Sequence, residues 1–255
     1  MDKYSLLSGG ELYDLMINWD KRLKREIPFL NYYLKEIKGF NGKIFEVACG
    51  TGRHLEELNK LNYNLFGLDI DPSMVEIAEN RLKETGIKLF IGDFLDIKNV
   101  LNREQFDGIF CLGNAMGLIA EFSSYSIVIQ KFSKILRSNG ILIFHLLNLA
   151  KERKGWSQPR YVSNEAGEFL FLRGFSTSAT HLHPEILTLH REKYSIEWKL
   201  HTTGTASIPR INKEELIDIL GKNGIITLNV FGDYESNAYN SEESIDMIFV
   251  CKKVP

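Results

Sequence analysis

Residues 43–55 constrain the fold of this chain more than any other stretch. They read Lys43-Ile44-Phe45-Glu46-Val47-Ala48-Cys49-Gly50-Thr51-Gly52-Arg53-His54-Leu55. Residues 44–48 are a short run of strand formers with an acid, Glu46, near the end. Gly50-Thr51-Gly52 permits a tight turn with positive φ. Leu55, Leu58 and Leu61 then recur at helical spacing. A strand, a glycine turn and a helix start form a corner where free backbone N–H groups favour a carboxylate or phosphate. On this stretch alone, an ordinary strand-to-helix turn is the plain alternative.

The stretch resembles motif I of the class I S-adenosylmethionine-dependent methyltransferases, E/D-x-x-x-G-x-G. The dinucleotide dehydrogenases are the rival reading. Their fingerprint needs a third glycine three residues after the second, and Leu55 stands there. They also require no acid at the place of Glu46. Both points favour the methyltransferase. The resemblance implies S-adenosylmethionine as cofactor, with S-adenosylhomocysteine as product. It sets Glu46, Ala48, Gly50 and Gly52 against that cofactor.

The rest of the composition narrows the class. The 255 residues are 44% hydrophobic and 25% charged, as in a soluble globular protein with a full core. The net charge of −2 offers no global positive field for nucleic acid. Cys49, Cys111 and Cys251 are far apart, which argues against a disulfide framework or a structural zinc and fits a reducing cytoplasm. The charged start lacks a signal-peptide core, and no apolar run suits a bilayer crossing. A cytoplasmic protein with no membrane partner is expected.

Residues 4–38 read as helix, with Leu12, Leu15, Met16, Trp19 and Leu23 on one face and a break at Pro28. Tyr13-Asp14 and the run from Asn18 to Glu26 resemble the N-terminal lid of glycine and sarcosine N-methyltransferases. That likeness implies an arginine on the methionyl carboxylate of the cofactor, with Arg22 favoured over Arg25 and Tyr13 beside it. A solvated helix face is the alternative.

Residues 64–70 form the second expected strand, ending at Asp69 and Ile70, with Pro72 in the first turn of a helix that carries Met74. An acid about 20 residues past the glycine turn can accept both ribose hydroxyls, which is the role expected of Asp69. Residues 87–91 are the third strand. Gly92-Asp93-Phe94 resembles motif III, which implies Asp93 on the adenine amino group and Phe94 against the ring. Residues 106–115 are the fourth strand and its exit, Leu112-Gly113-Asn114. In glycine and sarcosine methyltransferases this exit touches cofactor and substrate, so Leu112 and Gly113 are cofactor candidates and Asn114 a catalytic one. The Asp-Pro-Pro-Tyr type run of DNA amino-methyltransferases is absent.

A helix over 122–136 and a turn at Arg137-Ser138-Asn139-Gly140 precede a buried apolar strand, 141–147, interrupted by His145. His145 is either a hydrogen-bonded core residue or a catalytic residue beside the substrate. Glycine methyltransferases carry an arginine for the amino acid carboxylate where Leu147 stands here. A simple amino acid substrate then needs another cation, such as Arg160, Arg173 or Arg210.

Residues 151–209 break the strand–helix rhythm. Strands are expected at 168–172 and at 194–200, where apolar and polar residues alternate, with a turn at His183-Pro184-Glu185. This inserted antiparallel sheet either caps the substrate or serves an interface, which allows a homodimer. His181 and His183 lack further spaced ligands, so no metal is expected. A helix at 212–220 and strands at 225–231 and 244–251 complete the chain.

The expected architecture is α/β. A Rossmann-like, doubly wound, seven-stranded sheet has an antiparallel last strand, plus the inserted antiparallel β cap. Its parts are a helical lid (1–40), a cofactor-binding core (41–150), the cap (151–209) and the C-terminal part of the core sheet (210–255). The expected activity is direct in-line methyl transfer to nitrogen or oxygen of a small molecule. The enzyme must mainly align the reactants, an effect worth about 7–11 kcal/mol. A neutral amine needs no strong base, whereas a hydroxyl would benefit from one such as His145. A cofactor-binding sensor without catalysis and a nicotinamide-dependent oxidoreductase are the alternatives.

Overall fold

In the computed structural model, residues 10–38, 41–101, 104–119 and 121–255 are described. Two helices come first, α1 (Gly10–Met16) and α2 (Trp19–Lys38). The core then alternates β1 (Lys43–Val47), α3 (Arg53–Lys60), β2 (Asn64–Asp69), α4 (Pro72–Leu82), β3 (Lys88–Ile91), α5 (Ile97–Val100), β4 (Phe106–Cys111), α6 (Ser123–Ile135) and β5 (Leu136–Leu147). The insertion supplies β6 (Gly155–Trp156), β7 (Arg160–Asn164), β8 (Gly167–Thr177), β9 (His181–Arg191), β10 (Lys199–Thr205) and β11 (Ile208–Pro209). The chain closes with α7 (Lys213–Lys222), β12 (Ile225–Phe231) and β13 (Asp246–Lys253).

The main sheet has the order β12-β13-β5-β4-β1-β2-β3. Strands β1 to β5 pair in parallel, and β13 runs antiparallel to both β5 and β12. Every residue of β1 after Lys43 is buried, because helices cover both faces of the sheet. One apolar layer, including Phe106, Phe132 and Phe144, lies with α6 and α7. The other includes Leu30 and Leu34 of α2 with Leu55 and Leu58 of α3.

Leu55 is fully buried. A Cβ added to Gly67 on β2 would lie 2.7 Å from its side chain. The glycine that permits close packing of this helix therefore sits on the strand, and the helix keeps its leucine.

Four expectations about elements are corrected. The helix does not break at Pro28; α2 runs through it. The break falls at Ile17 and Asn18, where the Asn18 side chain accepts from the Lys21 N–H at 3.2 Å. Buried Phe29, Leu30 and Leu34 hold the helix past the missing proline donor. The turn expected at His183-Pro184-Glu185 lies inside β9, opposite the gap between β10 and β11, where a strand tolerates proline. Residues 194–198 are not a strand; Tyr194 and Ile196 are 94% and 91% exposed, so their alternation marks no buried face. The turn expected at 137–140 is absorbed into β5, with Asn139 at φ 65° taking the left-handed conformation. Residues 4–9 of the expected first helix lie outside the described residues.

The second sheet has the order β10-β9-β8-β6, with β7 on β8 and β11 on β9. Phe169, Phe171 and Ile186 on its inner face pack against Met16, Leu12 and Leu15. Helix α1 therefore lies between the inserted sheet and the glycine turn.

Candidate active site

Ala48, Gly50 and Gly52 all have positive φ, at 58°, 54° and 77°. This left-handed run turns the chain sharply off β1 into α3. A Cβ on Gly52 would crowd Leu82 at 3.0 Å and Ala78 at 3.1 Å, so the turn is also pressed against α4. The Asp69 carboxylate reaches across from β2 and accepts from the Gly50 N–H at 2.7 Å and the Asp71 N–H at 3.0 Å. Burial raises the Asp69 carboxyl above its ordinary value, with those two N–H groups opposing. The Asp69 carbonyl accepts from Gly92 N–H at 2.9 Å, which brings the Gly92-Asp93-Phe94 exit beside the β2 end. Asp93 itself caps the turn after β3, accepting from Leu95 N–H at 2.8 Å. Phe94 is half-buried against the core, and Ile70 is 39% exposed. Met74 is buried at the start of α4, against Gly10 of α1.

Helices α1 and α2 meet this turn and the exit of β4 through three groups. Tyr13 lies over Gly50, and its hydroxyl is 3.4 Å from Arg22 Nη1. Arg22 lies over Gly113, where an added Cβ would sit 2.9 Å from Nη2. Asp14 accepts from the Thr51 hydroxyl at 2.6 Å, from Arg53 at 2.9 Å and from Arg81 at 2.8 Å. Burial works against the Asp14 carboxylate, but Thr51, Arg53 and Arg81 hold it below the usual range. Arg25, the alternative to Arg22, turns outward to Glu235 at 2.6 Å.

A buried polar chain runs behind the turn. Glu46 Oε1 is 2.9 Å from His54 Nδ1, and His54 Nε2 is 2.5 Å from Glu26 Oε2. Both Glu26 oxygens accept from Arg22 Nε, at 2.8 and 2.9 Å. Burial opposes charge on His54, but Glu46 and Glu26 push its pKa up to about 9. Burial likewise works against the Glu26 carboxylate, yet His54 and Arg22 hold it at about 2. Burial raises the Glu46 carboxyl, and His54 opposes the rise. The sequence reading missed His54 and Glu26. A signal existed: Glu26 lies four residues after Arg22 on one helix, a pairing distance.

The two catalytic candidates are bound up in the fold. Asn114 has φ 64°, and its carboxamide oxygen accepts from the Leu147 N–H at 2.9 Å, tying the exits of β4 and β5 together. Leu112 is buried in the layer beneath α2, and Gly113 is exposed. His145 Nε2 is 3.1 Å from Asp246. Its ring meets Tyr234 edge-on at 5.7 Å. Four buried polar atoms have no hydrogen-bond partner among the described residues here: Trp19 Nε1, Glu46 Oε2, His145 Nδ1 and the Tyr234 hydroxyl. Buried polar atoms are ordinarily paired, so these orphans indicate a ligand or waters.

Two of the substitute cations are already engaged. Arg160 donates to the Leu15 and Ile17 carbonyls, and Arg210 donates to the Leu149 and Ala150 carbonyls. Arg173 is exposed on β8. No group of three or more His, Cys, Asp or Glu among the described residues is placed to hold a metal.

The sheet order, the glycine turn and the acids at the ends of β1 and β2 define the class I S-adenosylmethionine-dependent methyltransferase fold. Residues 44–140 match the family of the methyltransferase domain, so the chain carries that domain. It is 26% identical over 125 residues to the ubiquinone biosynthesis O-methyltransferase of Actinobacillus pleuropneumoniae, covering 47% of this chain and 52% of that one. It is 27% identical over 153 residues to the glycine/sarcosine N-methyltransferase of Parasynechococcus marenigrum, covering 58% and 52%. The match thus spans about half the length of each of these two relatives. The fold is shared with a sugar N-methyltransferase from a Streptoalloteichus species, with TM-score 0.76, 18% identity and coverage of 99% and 96%.

The residues present fit the cofactor. Arg22 presents a guanidinium edge for a carboxylate, and the orphaned Glu46 Oε2 an acceptor for an ammonium. Asp69 offers a carboxylate beside the glycine turn that can accept from paired hydroxyls.

Proposed function

We propose that the protein transfers the methyl group of S-adenosylmethionine to an amine of a small molecule. The observation that carries the reading is that Asp69 is bonded to the left-handed turn at residues 48–52, while Glu46 at the end of β1 is linked through His54 and Glu26 to Arg22 over Gly113. When bound, the cofactor supplies an electrophilic sulfonium methyl. The chain's own part is to bind and align. Arg22 and Glu46 hold the amino acid end, Asp69 the ribose, and Asp93 with Phe94 the base. Tyr13, Met74, Ile70, Leu112 and Gly113 enclose the rest. The inserted sheet, carrying α1 on its inner face, closes the acceptor side.

An amine acceptor asks no base of the chain. His145 pairs Nε2 with Asp246 and keeps Nδ1 buried beside Tyr234, without a partner among the described residues, where a hydroxyl acceptor would find a carboxylate-oriented nitrogen, so substitution of this residue decides between the two. Asn114 has already spent its oxygen on Leu147. A neutral amine attacks without a base, so neither group needs to take a proton. His145→Asn is expected to leave kcat within about threefold, against the roughly hundredfold or greater loss that follows removal of a general base. A hundredfold loss would replace the amine reading with a hydroxyl acceptor.

Calorimetric titration with S-adenosylhomocysteine, with NADH as control, tests the cofactor reading directly. Micromolar binding of the first alone is expected. Asp69→Ala should weaken it about a hundredfold, since hydrogen bonds to a charged group contribute about 1.5–3 kcal/mol each. Unchanged affinity would remove Asp69 from the ribose.

We further propose a cytoplasmic protein without nucleic-acid or membrane partners. The buried free thiols of Cys49, Cys111 and Cys251 support a reducing compartment, and no described helix is long and apolar enough to cross a membrane. A homodimer through the outer face of the inserted sheet is the proposed assembly. Tyr161, Leu170, Leu189 and Leu200 form one cross-strand row there, with Tyr161 53% and Leu200 63% exposed. A monomer in sedimentation at micromolar concentration would overturn it.

A further inference from the structure

We propose that His54, held as an imidazolium between Glu46 and Glu26, is a positioning residue that sets Arg22 and Glu46 to receive the zwitterionic amino acid end of the cofactor. This rests on the S-adenosylmethionine reading above and assigns a purpose to a buried cation that the chemistry of methyl transfer does not itself use.

The geometry argues for the charged ring. Both ring nitrogens face carboxylate oxygens, at 2.9 Å to Glu46 and 2.5 Å to Glu26. A neutral imidazole has one N–H and would set a lone pair against one of them. The ring is buried, edge-on to Trp19 at 5.8 Å and to Phe110 at 6.3 Å, so water does not serve either nitrogen. From α2 it faces Glu26, with Arg22 behind; from β1 it faces Glu46. The upward shift of its pKa agrees with this arrangement.

The consequence lies at the two ends of the chain of charges. Arg22 has its Nε fixed by both oxygens of Glu26, and Glu26 is fixed in turn by His54. The Nη edge of the guanidinium is thereby aimed away from Glu26 and over Gly113. At the other end His54 holds Glu46 Oε1, leaving Oε2 buried and without a partner. The four groups alternate in sign, Glu46, His54, Glu26, Arg22, and sum to zero. They offer one anionic and one cationic terminus. A zwitterion bearing one ammonium and one carboxylate matches both ends and adds no net charge to a buried site. A ligand lacking that end engages neither.

The test compares two ligands of one protein by calorimetry. S-adenosylhomocysteine carries the amino acid end, and 5′-methylthioadenosine keeps the adenosine and thioether without it. His54→Gln is expected to lose roughly 10–100-fold in affinity for the first, the usual scale for removing an orienting partner. Its affinity for the second should stay within about twofold. Glu26→Gln, which keeps the shape and removes the charge, should show the same selective loss. Equal weakening of both ligands would overturn the proposal and leave His54 a purely structural residue. Nitrogen NMR of the unsubstituted protein gives a reading that no folding defect can obscure. A doubly protonated, exchange-protected imidazole at pH 7.5 is expected, and a neutral His54 ring would overturn the proposal. If the unsubstituted protein binds neither ligand, the cofactor reading fails instead, and the two failures are thus distinct.

Discussion

Arg22→Ala is expected to weaken S-adenosylhomocysteine binding by roughly two to four orders of magnitude. Two hydrogen bonds from a guanidinium to a carboxylate contribute about 3–6 kcal/mol together, at the charged-group scale. A tenfold change is about 1.4 kcal/mol, which gives the range. The substitution also strips Glu26 of one of its two cations, so the buried carboxylate must lean on His54 alone. Arg22→Lys should recover only part of the loss, because a point charge cannot replace a fork that grips Glu26 with one edge and the ligand with the other. Arg25→Ala is the control. Arg25 pairs with Glu235 on the surface, with side chains 39% and 52% exposed, and its removal should change affinity less than twofold. Equal effects at positions 22 and 25 in a titration series would remove Arg22 from the site.

Raising the pH from 6.5 to above 9 should cost the fold about 3 kcal/mol through His54. The ring is buried, and its pKa stands at about 9 against an ordinary 6.5. The folded state binds the proton more tightly than the unfolded one. The stabilisation is therefore complete below pH 6.5 and is lost as pH rises through 9. Glu26 acts at the other limit. Its folded pKa of about 2 lies below the ordinary 4.5, so its contribution is complete above 4.5 and is lost as pH falls through 2. For a chain of this size, 3 kcal/mol is about 6–12 °C in Tm. Thermal denaturation at pH 6.5 and 9.5 should show that fall, and a folded His54→Gln variant should lack most of it. A flat profile in the unsubstituted protein would mean that the ring is neutral in the fold.

The glycine turn was legible because its requirements are local. Gly50 and Gly52 adopt the positive φ that a side chain resists, and the strand and helix on either side follow from short-range periodicity. Asp71 and Pro72 cap α4 as a local pattern would have them. Asp69 could be named from its distance along the chain, since a parallel β2 beside β1 puts its end against the turn. Where local signals failed, packing had overruled them. Pro28 stays helical because the residues after it are buried in the core. The alternation at 194–200 carries no strand before Lys199, because Tyr194 and Ile196 have no surface to pack against.

The pairing of His54 with both Glu46 and Glu26 was out of reach for a different reason. Nothing within one element specifies it; the three residues lie on β1, α2 and α3 and meet only when those elements stack. The same holds for Asp14, which gathers Thr51, Arg53 and Arg81 from the turn, α3 and α4. Backbone dihedral preference and hydrophobic period act over a few residues, so the amino acid order alone settled the alternation of strands and helices and the glycine corner. Which charges share a buried space depends on contacts between distant segments. Only the folded chain decided that Arg22 faces inward, that Arg25 faces Glu235, and that an imidazole stands between two acids.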